Sequence, residues 1–427
     1  MSAVRSHPGI VLAILLACCG ARASDFPPPP STAARTVFEQ TRDAVVKVRS
    51  TVAGHNSSTG SAYLLRPDGL LATNYHVVAD HVFDPATYQL SYQTHDGREG
   101  PLKLVAIDVV NDVALVKSDL TTAQPLPIRS AAPDKGDTVF SLGYPLNQGI
   151  TVTEGTYNGI SEDLYREHLH FTGAVNPGMS GGPVVDRRGE IVGMNVAHRR
   201  NAQLVSFLVP GRFVAALLAS AANAASGSDF ERDAWSQLGA YTTRLLQETT
   251  AAAWRSRSLG GFTLPAEQLP RMQCVHDVSK DETDKTAQET LLCNIKSGLF
   301  LTDRLVPGQL SIRHTLYRNQ RLAAPQFNQF IQARFANEVS VRRREKDFQP
   351  VRCLDRVVAL QGGPFKVVLC SAAYRRHEQL HDVMLRIVSL TDSREAVITQ
   401  VDLGAVSADV ALRYIDRYLG SLQSNPR

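Results

Sequence analysis

Between Arg35 and Val214 the chain alternates short apolar runs with turn residues. The runs are VVKVRS (45–50), SAYLLR (61–66), GLLATN (69–74), LKLVAI (102–107), DVALVKS (112–118), DTVFSLG (137–143), PVVD (183–186) and EIVGMNVA (190–197). Pro-Asp-Gly, Asp-Gly and Arg-Gly turns separate several of them, and many short strands at this spacing predict an all-β sandwich or barrel. The period then changes. RFVAALLASAANAA (212–225) reads as an Ala-rich helix ended by Ser226-Gly227-Ser228. A second helix is predicted from Asp229, because Phe230, Ala234, Leu238, Tyr241 and Leu245 fall at spacings of four, four, three and four, on one helix face. Gly260-Gly261 closes this connector. From Phe262 onward the content is mixed α and β. SIRHTLY (311–317) and VMLRIVSL (383–390) read as strands, and FNQFIQARFANEV (327–339) and DVALRYIDRYLGSL (409–422) as helices.

The first residues carry a different pattern. Arg5 precedes ten apolar residues, Ile10 to Cys19, and Ala21-Arg22-Ala23 supplies a small-x-small cleavage site. Ten apolar residues are too few for a bilayer, which takes about 20 in a helix. The expectation is a cleaved secretory leader over 1–23, with a lipid anchor on Cys18 as the alternative. Pro27 to Pro30 then make an extended spacer, so 24–34 reads as a Pro-rich linker.

Composition adds little. The 427 residues are 43% hydrophobic and 20% charged, ordinary for soluble globular domains. The net charge of +4 drops to +2 once Arg5 and Arg22 leave with the leader, too even for an electrostatic nucleic-acid binder. Cleavage also leaves four cysteines, all beyond residue 270. In an exported chain they predict two disulfides, with three pairings open and the sequence-near pairs Cys274–Cys293 and Cys353–Cys370 favoured. The two pairs recur at offsets of 79 and 77 residues, each followed by a strand and a helix. That spacing suggests an approximate two-copy unit of hairpin, strand and helix, with coincidence as the competing explanation.

Three stretches carry chemistry together: Thr73-Asn74-Tyr75-His76-Val77-Val78, Asn111-Asp112-Val113-Ala114-Leu115-Val116 and Asn176-Pro177-Gly178-Met179-Ser180-Gly181-Gly182-Pro183. Alone, a His after a strand is most often packed or solvated, and an Asp before a strand is most often a turn cap. Three glycines around a serine are more specific, since they admit backbone conformations closed to other residues. A serine hydroxyl attacks at neutral pH only if a base removes its proton. Histidine can take and return that proton, and an aspartate fixes its tautomer. The backbone N–H groups of Gly178 and Ser180 are the candidate oxyanion donors. Asp108, His81, His55 and His95 are the weaker candidates nearby.

Residues 36–216 resemble the protease domain of the HtrA/DegP family, a trypsin-like branch of the chymotrypsin fold. The resemblance rests on GLLATNYHVV, NDVALVK, DTVFSLGYPLNQGITVTEGTYNGIS (137–161), NPGMSGGPVVDRRGEIVGMNVA and VSFLVPGRFVAALL (205–218), and on the order His76, Asp112, Ser180. It implies an all-β double barrel, chymotrypsin/trypsin-like, over 35–218, with the site in the cleft between barrels. A helical connector (219–260) and a disulfide-containing α+β C-terminal domain (261–427) would follow. The implied function is an exported serine endopeptidase, periplasmic or secreted, that acts on protein or peptide substrates with no cofactor or metal. No nucleic acid partner is implied, nor a membrane span after leader removal. Two departures matter. Met179 stands where the family has Asn and digestive relatives have Asp, which argues against activation by a new N-terminus. No PDZ-like pattern follows the protease segment.

Residues Phe171 to Val175 and Asn195 to Ala197 are expected to line the specificity pocket. Neither stretch supplies an acid, so small or aliphatic side chains fit better than Lys or Arg. His198 would favour an acidic residue only if it faced that pocket. Two other functions are open: a weakly active or inactive protease-fold scaffold or holdase whose C-terminal domain binds a protein partner, and ester hydrolysis by the same triad residues.

Overall fold

A computed structural model of the chain describes residues 31–424 apart from 122, 163–164, 199–204, 223–228, 281–284, 303–304, 340–343, 362 and 391–392. The expected leader, Cys18 and Pro27–Pro30 lie outside the described residues, as do the side chains of Ala197 and His198.

The Ser31 hydroxyl accepts the Ala34 N–H at 3.1 Å and caps α1 (Thr32–Thr41). Residues 32–34, read as the tail of the linker, are therefore the first turn of a helix. Its buried face is only Ala34, Val37 and Thr41, too short a periodic signal to stand out from the prolines before it.

The front half then builds two antiparallel sheets. The first holds β1 (Val45–Val52), β2 (His55–Arg66), β3 (Leu70–Thr73), β4 (Gln89–Gln93), β5 (Glu99–Pro101), β6 (Lys103–Asp108) and β7 (Val113–Lys117), with α2 (Tyr75–Phe83) between β3 and β4. Its order is β5-β4-β1-β2-β3-β7-β6. The second holds β8 (Thr138–Gly143), β9 (Thr151–Ile160), β10 (Leu169–Thr172), β11 (Pro183–Val185), β12 (Ile191–His198) and β13 (Ser206–Pro210). It closes into a barrel in the order β10-β13-β12-β11-β8-β9. Of the two barrels expected, one is thus a hydrogen-bonded barrel. The other is a seven-stranded sheet, where β5 pairs with β4 and β6 with β7. Each of the eight apolar runs lies on a strand. The short polar segments of β4 and β5 give no such signal: β4 pairs with β1 and buries only Leu90 and Tyr92, and the three-residue β5 is held by pairing with β4.

After α3 (Gly211–Ala221) comes α4 (Phe230–Ala251), capped by Asp229, whose carboxylate accepts the Arg232 N–H at 3.1 Å. The expected face is buried at Ala234, Leu238, Tyr241 and Leu245, but Trp235, Thr242, Leu246 and Thr249 are buried too. The reason is that α4 is covered from both sides. Gln237 bridges the Val109 N–H (2.8 Å) and the Ile107 carbonyl (3.0 Å) of the first sheet, and Thr242 donates to the Ala405 carbonyl at 2.6 Å in the C-terminal domain. A buried Leu such as Leu238 contributes about 1.5–3 kcal/mol. One apolar cluster runs from Val46 and Leu115 of the first sheet through Trp235 and Leu238 to Leu299, Leu301 and Tyr374. The last residues of the expected connector leave the helix. β14 (Ser256–Leu259) pairs with β15 (Phe262–Pro265) around Gly260, whose φ of 57° suits glycine.

The C-terminal domain is a seven-stranded antiparallel sheet in the order β16-β17-β18-β22-β21-β20-β19. The elements are β16 (Gln273–Lys280), β17 (Thr286–Ile295), β18 (Leu310–Asn319), α5 (Ala324–Val339), β19 (Arg352–Leu360), β20 (Gly363–Tyr374), β21 (His377–Ser389), β22 (Glu395–Ser407), α6 (Ala408–Gly420) and β23 (Gln423–Ser424). Cys274 bonds to Cys293 and Cys353 to Cys370, each pair directly opposed across a hairpin at a sheet edge. Both arms run inward from a disulfide hairpin to a strand, and the second arm adds β22 at the centre.

His314, on β18, is fully buried. Its Nε2–H donates to the Pro265 carbonyl at 2.8 Å and its Nδ1 accepts the Thr399 hydroxyl at 2.9 Å, so the neutral ring satisfies both partners. Burial pushes its pKa down from 6.5 to about 4. Above pH 6.5 both states are neutral and the packing is fully stabilising. As pH falls toward 4 the unfolded chain binds the proton first, and about 3 kcal/mol is lost. Denaturant unfolding of His314→Gln should show a shallower loss of stability between pH 6.5 and 4 than the wild type, and equal slopes would refute this assignment.

Candidate active site

The site begins with a strand end and a cap. β3 runs into Asn74, and His76 is the second residue of α2. The Asn74 amide donates to the Asp112 carbonyl at 2.8 Å, which draws the start of β7 against the start of α2. Asp112 has a φ of 58°, a left-handed conformation that Asp tolerates better than most residues. In that pose one carboxylate oxygen accepts the His76 backbone N–H at 2.9 Å and the other accepts the His76 Nδ1–H at 2.8 Å. A ring that donates from Nδ1 keeps Nε2 as the acceptor. The His76 side chain is 26% exposed and Asp112 11%, so the pair is screened yet reachable.

The serine arrives from the barrel. Asn176 to Met179 form a tight turn closed by Met179 N–H to Asn176 O at 3.0 Å, with Gly178 at φ 96°. A Cβ on Gly178 would lie 2.3 Å from the Tyr144 carbonyl, so glycine is required. Gly181 is equally confined, 2.2 Å from the Ser61 carbonyl and 3.0 Å from the Asn74 nitrogen. The serine turn thus sits against the residue two before His76. Ser61, on β2, clamps it. Its N–H donates to the Ser180 carbonyl (2.7 Å), and its hydroxyl donates to the Gly178 carbonyl (2.8 Å) and accepts the Tyr144 N–H (3.0 Å). The Ser180 hydroxyl donates to the Val196 carbonyl at 3.3 Å.

His76, Asp112, Ser180 and Gly178 are therefore gathered at one seam between sheet and barrel. The weaker candidates fall elsewhere. Asp108 caps the turn before Asp112 through Asn111, His81 contacts the Tyr88 carbonyl, His95 pairs with Asp43 on the surface, and His55 is exposed. Met179 fills the barrel core with Val139, Phe171 and Leu208, so an apolar anchor holds the turn from below. Phe171 also points into that core, not into a pocket. Alternation along the strand leaves Thr172 and Ala174 exposed, while Gly173 accepts the Ser206 hydroxyl at 2.8 Å. Val196 is half-buried. Among the described residues no cluster of three or more His, Cys, Asp or Glu is placed to hold a metal.

Residues 60–194 match the family model of the trypsin-like peptidase domain. The chain carries a trypsin-like peptidase domain. This domain is similar to a Synechocystis protein named as a serine protease, HhoB, at 32% identity over 164 residues, covering 36% of this chain and 37% of that one. A Chlamydia pneumoniae protein named as a periplasmic serine endoprotease, DegP-like, is 30% identical over 147 residues, covering 32% and 28%. The chain thus spans about a third of the length of the curated relatives it matches. A solved serine endoprotease from Yersinia pestis is 26% identical, covers 45% of this chain and 68% of that one, and superposes with a TM-score of 0.40.

Ser61 escaped the sequence reading because a serine in an alternating strand carries no chemical signature. Replacing it by Ala keeps the backbone bond to Ser180 but strands the buried Tyr144 N–H and Gly178 carbonyl. Ser61→Ala should lower stability by about 1–3 kcal/mol in denaturant melts, and a variant as stable as the wild type would show the clamp to be dispensable.

Proposed function

We propose that this chain is an exported serine endopeptidase that cleaves peptide bonds through a Ser180 acyl-enzyme. The observation that carries the reading is the His76 Nδ1–Asp112 bond beside a serine turn that only glycines can form. Asp112 holds the imidazole by Nδ1, which leaves Nε2 as the nitrogen to accept the Ser180 proton once the hydroxyl turns from the Val196 carbonyl. Such contacts are often loose until substrate binds. Ser180 Oγ then bonds to the scissile carbonyl carbon, and the C–N bond breaks as His76 returns the proton to the leaving amine. Water repeats the sequence to release the acyl group and restore Ser180.

The oxyanion reading is supported by the turn. All peptide bonds in the described chain are trans, and the Pro177 carbonyl is held by the Leu146 N–H at 2.8 Å. A trans peptide sets its C=O and N–H in opposite directions, so the Gly178 N–H is turned away from Leu146. Among the described residues neither the Gly178 nor the Ser180 N–H has a protein acceptor, which leaves both for a developing oxyanion. The exposed Ala174 and half-buried Val196 suit a small or aliphatic substrate residue. Export to the periplasm is supported by relatives named as periplasmic and fits the leader expected over 1–23. No helix among the described residues is long and apolar enough to cross a membrane.

A fluorophosphonate probe should label the wild type and leave Ser180→Ala unlabelled, and casein digestion should fall by about 10³-fold or more in that variant. A wild type that resists labelling throughout the neutral pH range would favour the scaffold reading.

A further inference from the structure

The segment that joins β17 to β18 does not stay with the C-terminal sheet. It reaches back to the front half and places Phe300 against His76, with ring centroids 5.9 Å apart and ring planes at 73°. Three features fix it there. Leu299 and Leu301 on either side of Phe300 are fully buried in the cluster shared with the first sheet. The Tyr75 hydroxyl, next in sequence to His76, donates to the Leu301 carbonyl at 3.2 Å. Burial holds that phenol far above its usual pKa, so it remains a donor. The segment also folds on itself, through Leu299 N–H to Pro307 O (2.8 Å) and Leu301 N–H to Leu305 O (3.0 Å).

A second set of bonds ties the same segment to the aspartate. Arg166, in the loop before β10, donates to the Val110 carbonyl at 2.8 Å and to the Gly298 carbonyl at 3.3 Å. Val110 lies two residues before Asp112. Tyr241 of α4 donates to the Ser297 carbonyl at 2.8 Å, and Gln237 one turn earlier holds the backbone of Ile107 and Val109. The C-terminal segment and the loop that carries Asp112 therefore share the same supports.

We infer that Phe300, delivered by the C-terminal domain, is a positioning residue for His76. The inference rests on the proposed function. The Asp112 bond anchors one edge of the imidazole at Nδ1. A perpendicular aromatic ring at van der Waals range packs against the imidazole, narrows the χ1 and χ2 range it samples and excludes water from one side. The C-terminal domain then completes the site, which a peptidase segment alone leaves open on the Phe300 side.

The test uses the full-length chain. In Phe300→Ala, fluorophosphonate labelling of Ser180 should slow about tenfold or more, with kcat lowered by the same factor and KM little changed. The low-field NMR signal of the His76 Nδ1 proton, which reports its bond to Asp112, should broaden or vanish in Phe300→Ala, and Phe300→Tyr should restore both signals. Wild-type labelling with a sharp low-field proton in Phe300→Ala overturns the inference. If that variant fails to fold, Phe300→Leu, which keeps the apolar bulk without the perpendicular ring, is read by the same signals, and wild-type values overturn the inference too. A wild type that resists the probe sinks the hydrolase reading alone, since the proton signal still reports the contact. Absence of that signal in the wild type sinks the positioning role.

Discussion

A backbone hydrogen bond, 2.7 Å from the Ser61 N–H to the Ser180 carbonyl, ties the sheet against which His76 and Asp112 are set to the barrel that carries Ser180. Neither half holds a complete candidate site. The junction is tight enough to dictate its own sequence: a Cβ on Gly60 would meet the Val77 side chain at 2.6 Å and the Ser180 carbonyl at 3.0 Å. The Ser61 hydroxyl adds one more bond to the same turn and accepts another from the Tyr144 N–H of the barrel, and Thr73 donates one to the Ser61 carbonyl at 2.7 Å. Buried polar groups joined in this way specify one arrangement, because each alternative leaves a donor or acceptor unpaired.

Beneath the turn the support is apolar. Met179 is buried in the barrel core, where an acid would need a buried positive partner. The serine turn is thus shaped by packing and by hydrogen bonds to its main chain.

The second half of the chain is not an appendage to the first. α4 buries two faces because it lies between the peptidase sheet and the C-terminal sheet, and the apolar cluster is continuous across it. The disulfides lie at the far edges of the C-terminal sheet, in β16–β17 and β19–β20. They staple hairpins whose outer strands are largely exposed, with Leu354 and Val357 open to solvent. The central strands β18, β22 and β21 are held by burial instead.

Sequence alone was informative wherever the signal was local. Alternation located the strands that bury one face, the four-four-three-four spacing located one face of α4, and three glycines around Ser180 marked a turn whose backbone excludes side chains. Cysteine proximity favoured the disulfide pairing that the hairpin registers carry. Local pattern could not show that β4 and β5 pair with the first sheet, that Thr32 to Ala34 are helical, or that Phe171 turns into the barrel core. Nor could it show which strangers meet: Ser61 with Gly178 across 117 positions, Tyr75 with Leu301 across 226, and His76 with Phe300. Periodicity and turn chemistry are properties of neighbours along the chain, whereas a clamp on the serine turn or a ring against an imidazole exists only after burial has brought distant segments within a few ångströms of each other.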